Sequence, residues 1–264
     1  MTMNDRVLLV IPCFRESGRI EPFLDSLFDE LGSIATVSVT VVDDGSGASE
    51  QEKMHSIVEA RRARWPGLQP LMALDKNLGK GGAIYAGWAA CGNHDWLAFV
   101  DADGSCPAYE VARLLREATQ QPGTALFASR VCMLGKRIKR DFHRHLIGRV
   151  YATIVSEVLQ IHVYDSQCGL KLVPTAAFEK VRPLLRVFGF AFDVELLCAL
   201  FDSGVLVQEA PIDWHETGGG KVRLVRDSLR MFRDVLAVRR RRRSAEWRAF
   251  CGLADGGDPP PGQR

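Results

Sequence analysis

Residues 97–104 read LAFVDADG, in which four apolar residues run directly into Asp101 and Asp103. An unpaired carboxylate is costly to bury, so these two acids do not belong to the interior that the preceding residues occupy. The pattern predicts a buried strand that ends at the mouth of a sheet, where both carboxylates face solvent, a ligand or a cation. The other motifs of the chain decide among these roles.

On both sides of this stretch, short β-rich runs alternate with segments of helical periodicity. The predicted strands cover residues 7–13, 37–43, 69–74, 95–101 and 124–131. The predicted helices between them cover residues 18–31, 49–64, 79–91 and 107–120. Continuous apolar strands separated by helices indicate an α/β fold with a mostly parallel central sheet, and such sheets bind ligands beyond the carboxyl ends of their strands.

The second half of the chain is less regular. Its apolar spacing predicts three further helices and two further strands, over residues 144–161, 191–203 and 222–238 and over residues 168–174 and 205–214. One domain is expected over residues 1–240, including an amphipathic C-terminal helix. Residues 241–264 are basic and then rich in glycine and proline, so they are expected to form a disordered tail.

The composition is that of an ordinary globular protein, with 264 residues of which 47% are hydrophobic and 25% charged. The seven cysteines form no CxxC pair, which argues against a disulfide framework or a zinc site and fits a reducing compartment. No signal peptide and no membrane span are expected, because the longest apolar candidate, residues 187–207, contains three acids.

The formal net charge of +2 hides an asymmetry. Residues 126–150 contain seven lysines or arginines and one acid, and residues 221–250 contain eleven and three. Positive charge concentrated in the second half predicts that an anionic partner binds there.

A second acidic strand end, VVDDGSG at residues 41–47, accompanies FVDADG at residues 99–104. Alternate residues at a strand end can point the same way, so Asp101 and Asp103 could share Mg²⁺ or Mn²⁺ with substrate phosphates. For a single motif of this kind, solvated turn residues are the alternative. Two acidic ends in neighbouring βα units favour ligand binding.

Residues 77–83, NLGKGGA, have the composition of a phosphate-binding loop, because glycines let a backbone approach closely and Lys80 adds charge at a helix start. The spacing of a P-loop is missing, and no GxGxxG follows the first strand, so neither of those two nucleotide sites is predicted. A glycine-rich surface loop with an exposed lysine is the alternative interpretation.

Several motifs follow one another in a fixed order, namely VIPCFRE (10–16), VVDDGSG, NLGKGGA, FVDADG, SR (129–130), DSQCGLKLV (165–173), FDVELL (192–197) and WHETGGGKVRLVRDSLRMFRDVLAVR (214–239). Together they resemble the family 2 glycosyltransferases, and among these the dolichyl- and polyprenyl-phosphate glucosyl- and mannosyltransferases. The resemblance spans about residues 6 to 240.

This resemblance implies a GT-A fold and the inverting transfer of a hexose from a nucleotide sugar, UDP-glucose or GDP-mannose, with Mg²⁺ or Mn²⁺. The implied donor-binding residues are Pro12, Phe14, Glu16, Asp43, Asp44, Lys80, Asp101 and Ala102. The implied metal positions are Asp101, Asp103 and Ser105, the last of which stands where relatives often have glutamine.

On the acceptor side, arginine and lysine suit a phosphate, and the candidate cations are Arg130, Arg144 and Lys171. The resemblance also implies Gln167 as an acceptor-side or donor-sugar contact. The expected catalytic residues are Asp103, Asp165, Asp193 and Arg130. A loop over the donor is expected to carry Trp214, His215 and Lys221. Plain surface charge is the alternative for Arg144, and a packed or solvent-facing side chain is the alternative for His215.

Residues 222–238 combine apolar residues and arginines at three- and four-residue steps, and the arginine run 239–243 follows. This pattern suits a helix on an anionic bilayer, with a core helix whose basic face is solvated as the alternative. Nucleic acid is not an expected partner, because no nucleic-acid motif accompanies the arginines. The expected localisation is cytoplasmic and peripheral on the cytoplasmic membrane face.

The sequence therefore predicts a metal-dependent transferase that moves glucose or mannose to a polyprenyl phosphate of the dolichyl type. Two alternatives stay open. One is a family 2 glycosyltransferase with a soluble or glycan hydroxyl acceptor, which needs Asp165 or Asp193 as a base. The other is a non-catalytic basic module that binds membranes or nucleic acid.

Overall fold

The computed structural model describes residues 5–90, 92–131, 135, 137–139, 152–161, 163–217 and 224–253. In chain order the strands are β1 (Val7–Cys13), β2 (Val37–Asp43), β3 (Met72–Ala73), β4 (Trp96–Val100), β5 (Thr124–Ser129), β6 (Ile138–Lys139), β7 (Leu170–Pro174), β8 (Leu206–Pro211) and β9 (Trp214–His215). The helices are α1 (Glu21–Leu31), α2 (Ala48–Arg62), α3 (Lys80–Ala89), α4 (Ala108–Ala118), α5 (152–159), α6 (Thr175–Val181), α7 (Phe192–Asp202), α8 (Leu224–Arg242) and α9 (Ala245–Cys251).

In the described part of the chain, seven strands form one sheet in the order β3-β2-β1-β4-β7-β5-β8. Strands β1 to β4 pair in parallel, as do β5 and β8, whereas β7 runs antiparallel between β4 and β5. A small second sheet pairs β6 with β9. Because β1, β2 and β4 are parallel, the residues that follow Cys13, Asp43 and Val100 meet at one edge of the sheet.

Helices cover both faces of this sheet. Alternate residues of β1 enter different cores, with Val7 and Leu9 on the face covered by α1, α2 and α4, and Leu8 and Val10 on the face covered by α3, α6 and α7. Burial on both faces explains why these strands appear as continuous apolar runs in the sequence. The strand ends are therefore held by packing on two sides.

The predicted α/β fold with a mostly parallel sheet is confirmed. Strands β1 and β2 have the predicted bounds, and the predicted strand over residues 168–174 is β7. The antiparallel direction of β7 was not predicted, because the sequence pattern of a five-residue buried strand does not indicate its direction. The predicted helix over residues 144–161 is described only from residue 152 onwards, as α5.

The C-terminal segment differs from the expected tail. Helix α8 continues to Arg242, past the domain boundary expected at residue 240, and α9 follows it. The buried Arg242 guanidinium donates to Asp202 at 2.7 Å, and the indole of Trp247 donates to the same carboxylate at 2.9 Å. These buried contacts attach residues 241–251 to the domain, which corrects the expectation of disorder there. The last eleven residues, 254–264, lie outside the described part.

Among the described residues, no helix has both the length and the apolar character that crossing a membrane requires.

Candidate active site

A cleft of about 1530 Å³ opens where β1, β2 and β4 end. Eight residues expected at the donor or the metal line it, namely Pro12, Phe14, Glu16, Asp44, Lys80, Asp101, Ala102 and Asp103. The rest of the lining comes from the end of β1 and the loop after it, the loop before α3, the first turn of that helix, residues 189–190 and the middle of α8. The parallel strands thus bring three separate sequence motifs to one site.

The loop after β1 is held by the loop after β2. The backbone amide of Arg15 donates to the hydroxyl of Ser46 at 2.8 Å. Arg19 pairs with Glu16, and its Nη2 donates to Oε1 at 2.9 Å. These contacts hold Glu16 at the cleft beside Phe14, whose ring is partly exposed.

Asp43 ends β2 and lies buried beside the cleft rather than in its lining. Its Oδ1 accepts hydrogen bonds from Ser46 N at 2.9 Å and from Gln51 Nε2 at 3.1 Å. Its Oδ2 is buried and has no hydrogen-bond partner in the described structure. A buried carboxylate oxygen without a donor is costly, so an N–H group of a bound nucleobase would stabilise it.

Asp44 joins the end of β2 to the loop that precedes α3. Its carboxylate accepts from the backbone amides of Leu78 at 2.7 Å and Gly79 at 2.9 Å. Gly79 has a φ of +90°, and a Cβ there would lie 2.6 Å from the carbonyl oxygen of Phe188, so the position requires glycine. Lys80 consequently begins α3 inside the cleft.

Lys80 and Asp101 form an ion pair within the cleft. Their Nζ–Oδ1 distance is 2.6 Å, and the two side chains are 17% and 28% exposed. Burial by itself would lower the pKa of Lys80, but the carboxylate of Asp101 raises it. The lysine therefore stays protonated, and a cation already faces the first carboxylate of FVDADG.

Asp103 presents the second carboxylate. Its Oδ1 accepts from Ser105 N at 2.9 Å, and burial followed by the negative charge of Asp101 raises its pKa. Ser105 is itself buried, with its hydroxyl 3.0 Å from that of Thr217, which also donates to the Asp103 carbonyl at 2.9 Å. Ser105 thus connects the acidic turn to the segment after β9, and its contact with a metal stays a prediction.

The two carboxylates of FVDADG fit the expected metal ion. Over the residues that the structure describes, no cluster of three or more His, Cys, Asp or Glu side chains is arranged to hold a metal. Magnesium, however, commonly takes one or two carboxylates and completes its shell with phosphate oxygens and water. Asp101 and Asp103 can supply these two carboxylates, because two neighbouring negative charges attract a cation. Lys80 would then give up its ion pair with Asp101 or bind the same carboxylate together with the metal.

Arg130 and Asp165 form a bidentate ion pair at the end of β5. Arg130 Nε lies 2.6 Å from Oδ2 and Nη2 lies 2.8 Å from Oδ1. Burial alone would raise the pKa of Asp165, but the guanidinium outweighs it and holds that pKa well below its usual range. Glu209 fixes the turn by accepting from Asp165 N at 2.8 Å. Arg130 therefore occupies both carboxylate oxygens, and neither residue lines the cleft.

Lys171 and Asp193 meet in the interior. Their Nζ–Oδ2 distance is 3.4 Å and the side chains are 0% and 3% exposed. Lys171 Nζ also donates to the carbonyl of Cys168 at 2.7 Å and lies 5.1 Å from the centre of the Phe127 ring. Burial raises the pKa of the Cys168 thiol to about 12, so this thiol is a packed group. The structure does not bring Lys171 or Asp193 into the cleft lining.

Gln167 and Trp214 contact neighbouring groups and do not line the cleft. The side-chain amide of Gln167 donates to the carbonyl of Phe190 at 3.2 Å and so braces one wall of the cleft. Trp214 is buried, and the guanidinium of Arg130 lies 5.0 Å from its ring centre. Trp214 therefore supports the Arg130–Asp165 pair rather than the cleft directly.

His215 follows Trp214 in β9. Its backbone amide donates to the carbonyl of Ser105 at 2.9 Å, which brings it next to the acidic turn. Lys221 and Arg144, which the sequence also indicated, lie outside the described residues.

Sequence reasoning missed two parts of the site. Arg230, Arg233 and Asp234 of α8 line the cleft, although helical spacing alone did not indicate which neighbour that helix meets. Gly169 was missed as well, and a Cβ there would lie 2.3 Å from Oδ2 of Asp101. The only available signal was the glycine itself, in DSQCGLK next to a predicted strand.

The comparisons with known proteins agree with this geometry. A family model described as Glycosyl transferase family 2 matches residues 8–182. The dolichyl-phosphate beta-glucosyltransferase of Saccharomyces cerevisiae is 30% identical over 88% of this chain and 73% of its own length. The Homo sapiens protein of the same name is 29% identical over 91% of this chain and 76% of its own length.

Solved structures share the fold. Glucosyl-3-phosphoglycerate synthase from Mycobacterium tuberculosis, in complex with Mn²⁺, UDP and glucosyl-3-phosphoglycerate, has a TM-score of 0.61 at 17% identity and covers 96% of this chain and 82% of its own. The same synthase with Mg²⁺ and UDP has a TM-score of 0.64 at 18% identity, with the same coverage. The expected GT-A fold is confirmed.

Proposed function

Because the chain belongs to glycosyltransferase family 2, we propose that this glycosyltransferase moves glucose from UDP-glucose to a polyprenyl phosphate of the dolichyl type, with inversion and with a bound divalent cation. We propose glucose and not mannose as the transferred sugar, because several relatives are named dolichyl-phosphate beta-glucosyltransferases.

The observation that carries this proposal is the composition of the cleft walls. The strand-end loops supply Lys80 and the FVDADG carboxylates, a combination that suits a diphosphate with its cation. Helix α8 adds Arg230 and Arg233 to the lining and exposes apolar side chains next to them, among them Leu229, which is 63% exposed. A small polar acceptor would not contact the exposed apolar side chains. A lipid phosphate can bind the arginines through its phosphate and the apolar side chains through its hydrocarbon chain.

On the donor side, we assign the nucleobase to the part of the cleft lined by Pro12 and Phe14. The buried Oδ2 of Asp43, which lies beside this lining and has no hydrogen-bond partner in the described structure, would accept from an N–H group of the base. Asp101 and Asp103 would hold the Mg²⁺ or Mn²⁺, which supplies positive charge for the departing diphosphate. The ammonium group of Lys80 supplies a second positive charge, and its ion pair with Asp101 already holds it next to the expected metal position.

The proposed transfer balances without a proton acceptor. An oxygen of the acceptor phosphate forms a bond to the anomeric carbon, the bond from that carbon to the diphosphate oxygen breaks, and the electron pair leaves with UDP. A phosphate monoester is already an anion near neutral pH, since its second pKa is about 6. A mechanism without a carboxylate base is consistent with the two acids that the sequence indicated. Asp165 is ion-paired with Arg130 through both carboxylate oxygens, and Asp193 is ion-paired with Lys171 in the core.

We further propose that α8 lies against an anionic membrane, as a peripheral contact on the cytoplasmic face. Leu229, Phe232 and Leu236 are all exposed on this helix, at steps of three and four residues, among exposed arginines. An amphipathic basic helix of this kind gains both apolar burial and attraction to anionic lipids at an interface.

The test is transfer of labelled sugar by the purified full chain. UDP-glucose or GDP-mannose is offered with a polyprenyl phosphate, in Mg²⁺, Mn²⁺ or a chelator, and label is counted in the organic extract. Metal-dependent labelling from UDP-glucose is expected, and labelling from GDP-mannose would correct the sugar. A folded sample that gives neither lipid product nor donor hydrolysis would contradict the proposal.

Metal-dependent hydrolysis of UDP-glucose without a lipid product would favour a hydroxyl acceptor, which needs a base. Asp234 is then the carboxylate to test, because it lines the cleft and burial raises its pKa. Asp234→Asn should abolish transfer to such an acceptor and leave donor hydrolysis intact.

A further inference from the structure

Helix α8 borders the cleft and the outer surface at the same time. Its middle part contributes six residues to the cleft lining, Leu229, Arg230, Met231, Arg233, Asp234 and Ala237. Phe232 and Leu236, which alternate with these, are exposed. One helix therefore connects an apolar outer face to the site where the donor diphosphate is expected.

Arg230 and Arg233 are three residues apart, so their side chains leave the helix on neighbouring positions and can reach one small anion together. Both are exposed cleft-lining residues. Guanidinium groups bind phosphate oxygens through paired hydrogen bonds, which suits them to a phosphate monoester better than to a single charge. Asp234 alone of the described acids on α8 lies beside them.

Two other cations of the cleft lining face carboxylates, and a third, Arg15, lies over the ring of Phe14. Lys80 pairs with Asp101, and Arg19 pairs with Glu16. Arg130, the sequence-based candidate for the acceptor phosphate, pairs with Asp165 away from the lining. The α8 arginines are thus the cleft cations that belong to a different wall from the donor motifs.

The position of α8 is set by buried contacts in its C-terminal half. Arg242 binds Asp202 through two nitrogens, with Nε–Oδ2 at 2.7 Å, and Arg241 pairs with Glu195. Glu195 also accepts from Val187 N at 2.7 Å, just before the 189–190 segment of the cleft wall. The same carboxylate therefore holds both the helix and the adjoining wall.

We propose that Arg230 and Arg233 bind the phosphate of the acceptor lipid, while Leu229 and Phe232 contact the first isoprene units as the lipid enters from the membrane. This inference rests on the proposed function, because it presumes a polyprenyl phosphate acceptor. It assigns the acceptor site to the membrane-facing helix instead of to Arg130 and Lys171.

The experiment uses the full chain, UDP-glucose and farnesyl phosphate, a short acceptor that is offered below its aggregation limit so that no bilayer contributes. Replacing two charge-assisted contacts in Arg230→Ala/Arg233→Ala should raise the KM for farnesyl phosphate at least tenfold. The KM for UDP-glucose and the affinity for UDP should stay within twofold. Arg230→Lys/Arg233→Lys should recover part of the acceptor KM.

The matched control is Arg116→Ala/Arg182→Ala, which removes two exposed arginines outside the cleft lining. It should leave both KM values unchanged, and circular dichroism should show that all variants are folded. Wild-type transfer with an unchanged acceptor KM in Arg230→Ala/Arg233→Ala overturns the inference alone. Absence of transfer to farnesyl and longer prenyl phosphates by the wild type overturns the proposed function and the inference with it.

Discussion

Two lysine–aspartate pairs flank the same aromatic ring, and they differ in access. Lys80 Nζ lies 5.4 Å from the centre of the Phe99 ring and Lys171 Nζ lies 5.5 Å from it. The Lys80–Asp101 pair is close, at 2.6 Å, and partly exposed in the cleft. The Lys171–Asp193 pair is looser, at 3.4 Å, and sealed in the core.

The difference shows that a lysine–aspartate ion pair can have two roles, depending on whether solvent and ligands reach it. In the cleft, water or a ligand can replace either partner, so the pair can exchange with a diphosphate and its cation. In the core, separating the charges leaves one of them buried and unpaired, which costs far more than an exposed pair contributes. Asp193 illustrates that cost, because burial raises its pKa despite the neighbouring Lys171. We therefore expect the first pair to affect catalysis and the second to affect stability.

The largest expected effect is on turnover. Asp101→Asn removes a charge from the expected metal and diphosphate site, and it should lower kcat/KM for UDP-glucose by about a thousandfold or more. The free energy of unfolding should change by less than about 1 kcal/mol, because the pair is partly exposed. Steady-state kinetics and urea unfolding of the same sample measure both quantities. Turnover like that of the wild type would remove Asp101 from the active site.

The sealed pair should show the reverse pattern. Lys171→Met leaves Asp193 buried without its cation and should lower the free energy of unfolding by roughly 3 to 5 kcal/mol. Lys80→Met is the matched change in the cleft and should cost less than about 1 kcal/mol. Urea unfolding compares the two variants. Equal losses would mean that access does not distinguish the pairs, whereas recovery in Lys171→Met/Asp193→Leu would sharpen the distinction.

The carboxylate of the Arg130–Asp165 pair lies between these extremes, because Asp165 is 12% exposed, against 28% for Asp101 and 3% for Asp193. Asp165→Asn should lower the free energy of unfolding at pH 7 by about 3 kcal/mol, since Arg130 loses its partner. The pKa of Asp165 is lower in the folded state than in the unfolded state, so its contribution is complete above the unfolded pKa of about 3.9. As the pH falls through the folded pKa, that contribution disappears. Unfolding curves at several pH values should show wild type and variant converging in acid, and a constant gap would contradict the assignment.

The smallest expected effect concerns the orientation of Asp101. An added Cβ at Gly169 would lie 2.3 Å from Oδ2 of that carboxylate, so Gly169→Ala should turn Asp101 away from its position. We expect turnover to fall about tenfold, which corresponds to about 1.4 kcal/mol in the barrier, while the thermal midpoint changes little. Gly18→Ala is the control, since a Cβ there meets no atom within 4 Å. Wild-type turnover in Gly169→Ala would show that the cleft tolerates more than one orientation of Asp101.

Much of the fold and of the donor site was readable from the sequence, because the signals are local. Apolar runs that stop at polar residues marked the ends of β1, β2 and β4 within a residue or two. A parallel sheet gathers those ends by geometry, so Asp44 and Asp101 were expected at one edge, and both line the cleft. Lys80, which the family resemblance had implied at the donor, lines it as well. The amphipathic pattern of α8 was equally visible, although its neighbours were not.

Which charge meets which partner was decided only by the tertiary structure. Lys171 and Asp193 are 22 residues apart and Arg130 and Asp165 are 35 apart, and no periodicity connects such positions. Their pairing depends on the antiparallel insertion of β7 between β4 and β5, and the pattern of a short buried strand does not encode its direction. The burial of Arg242 and Trp247 likewise depends on α7 offering Asp202. The sequence by itself determined the strands and helices and the polar groups at their ends. Packing determined which of those charges stay accessible to a ligand, because burial depends on neighbours that come from distant parts of the chain.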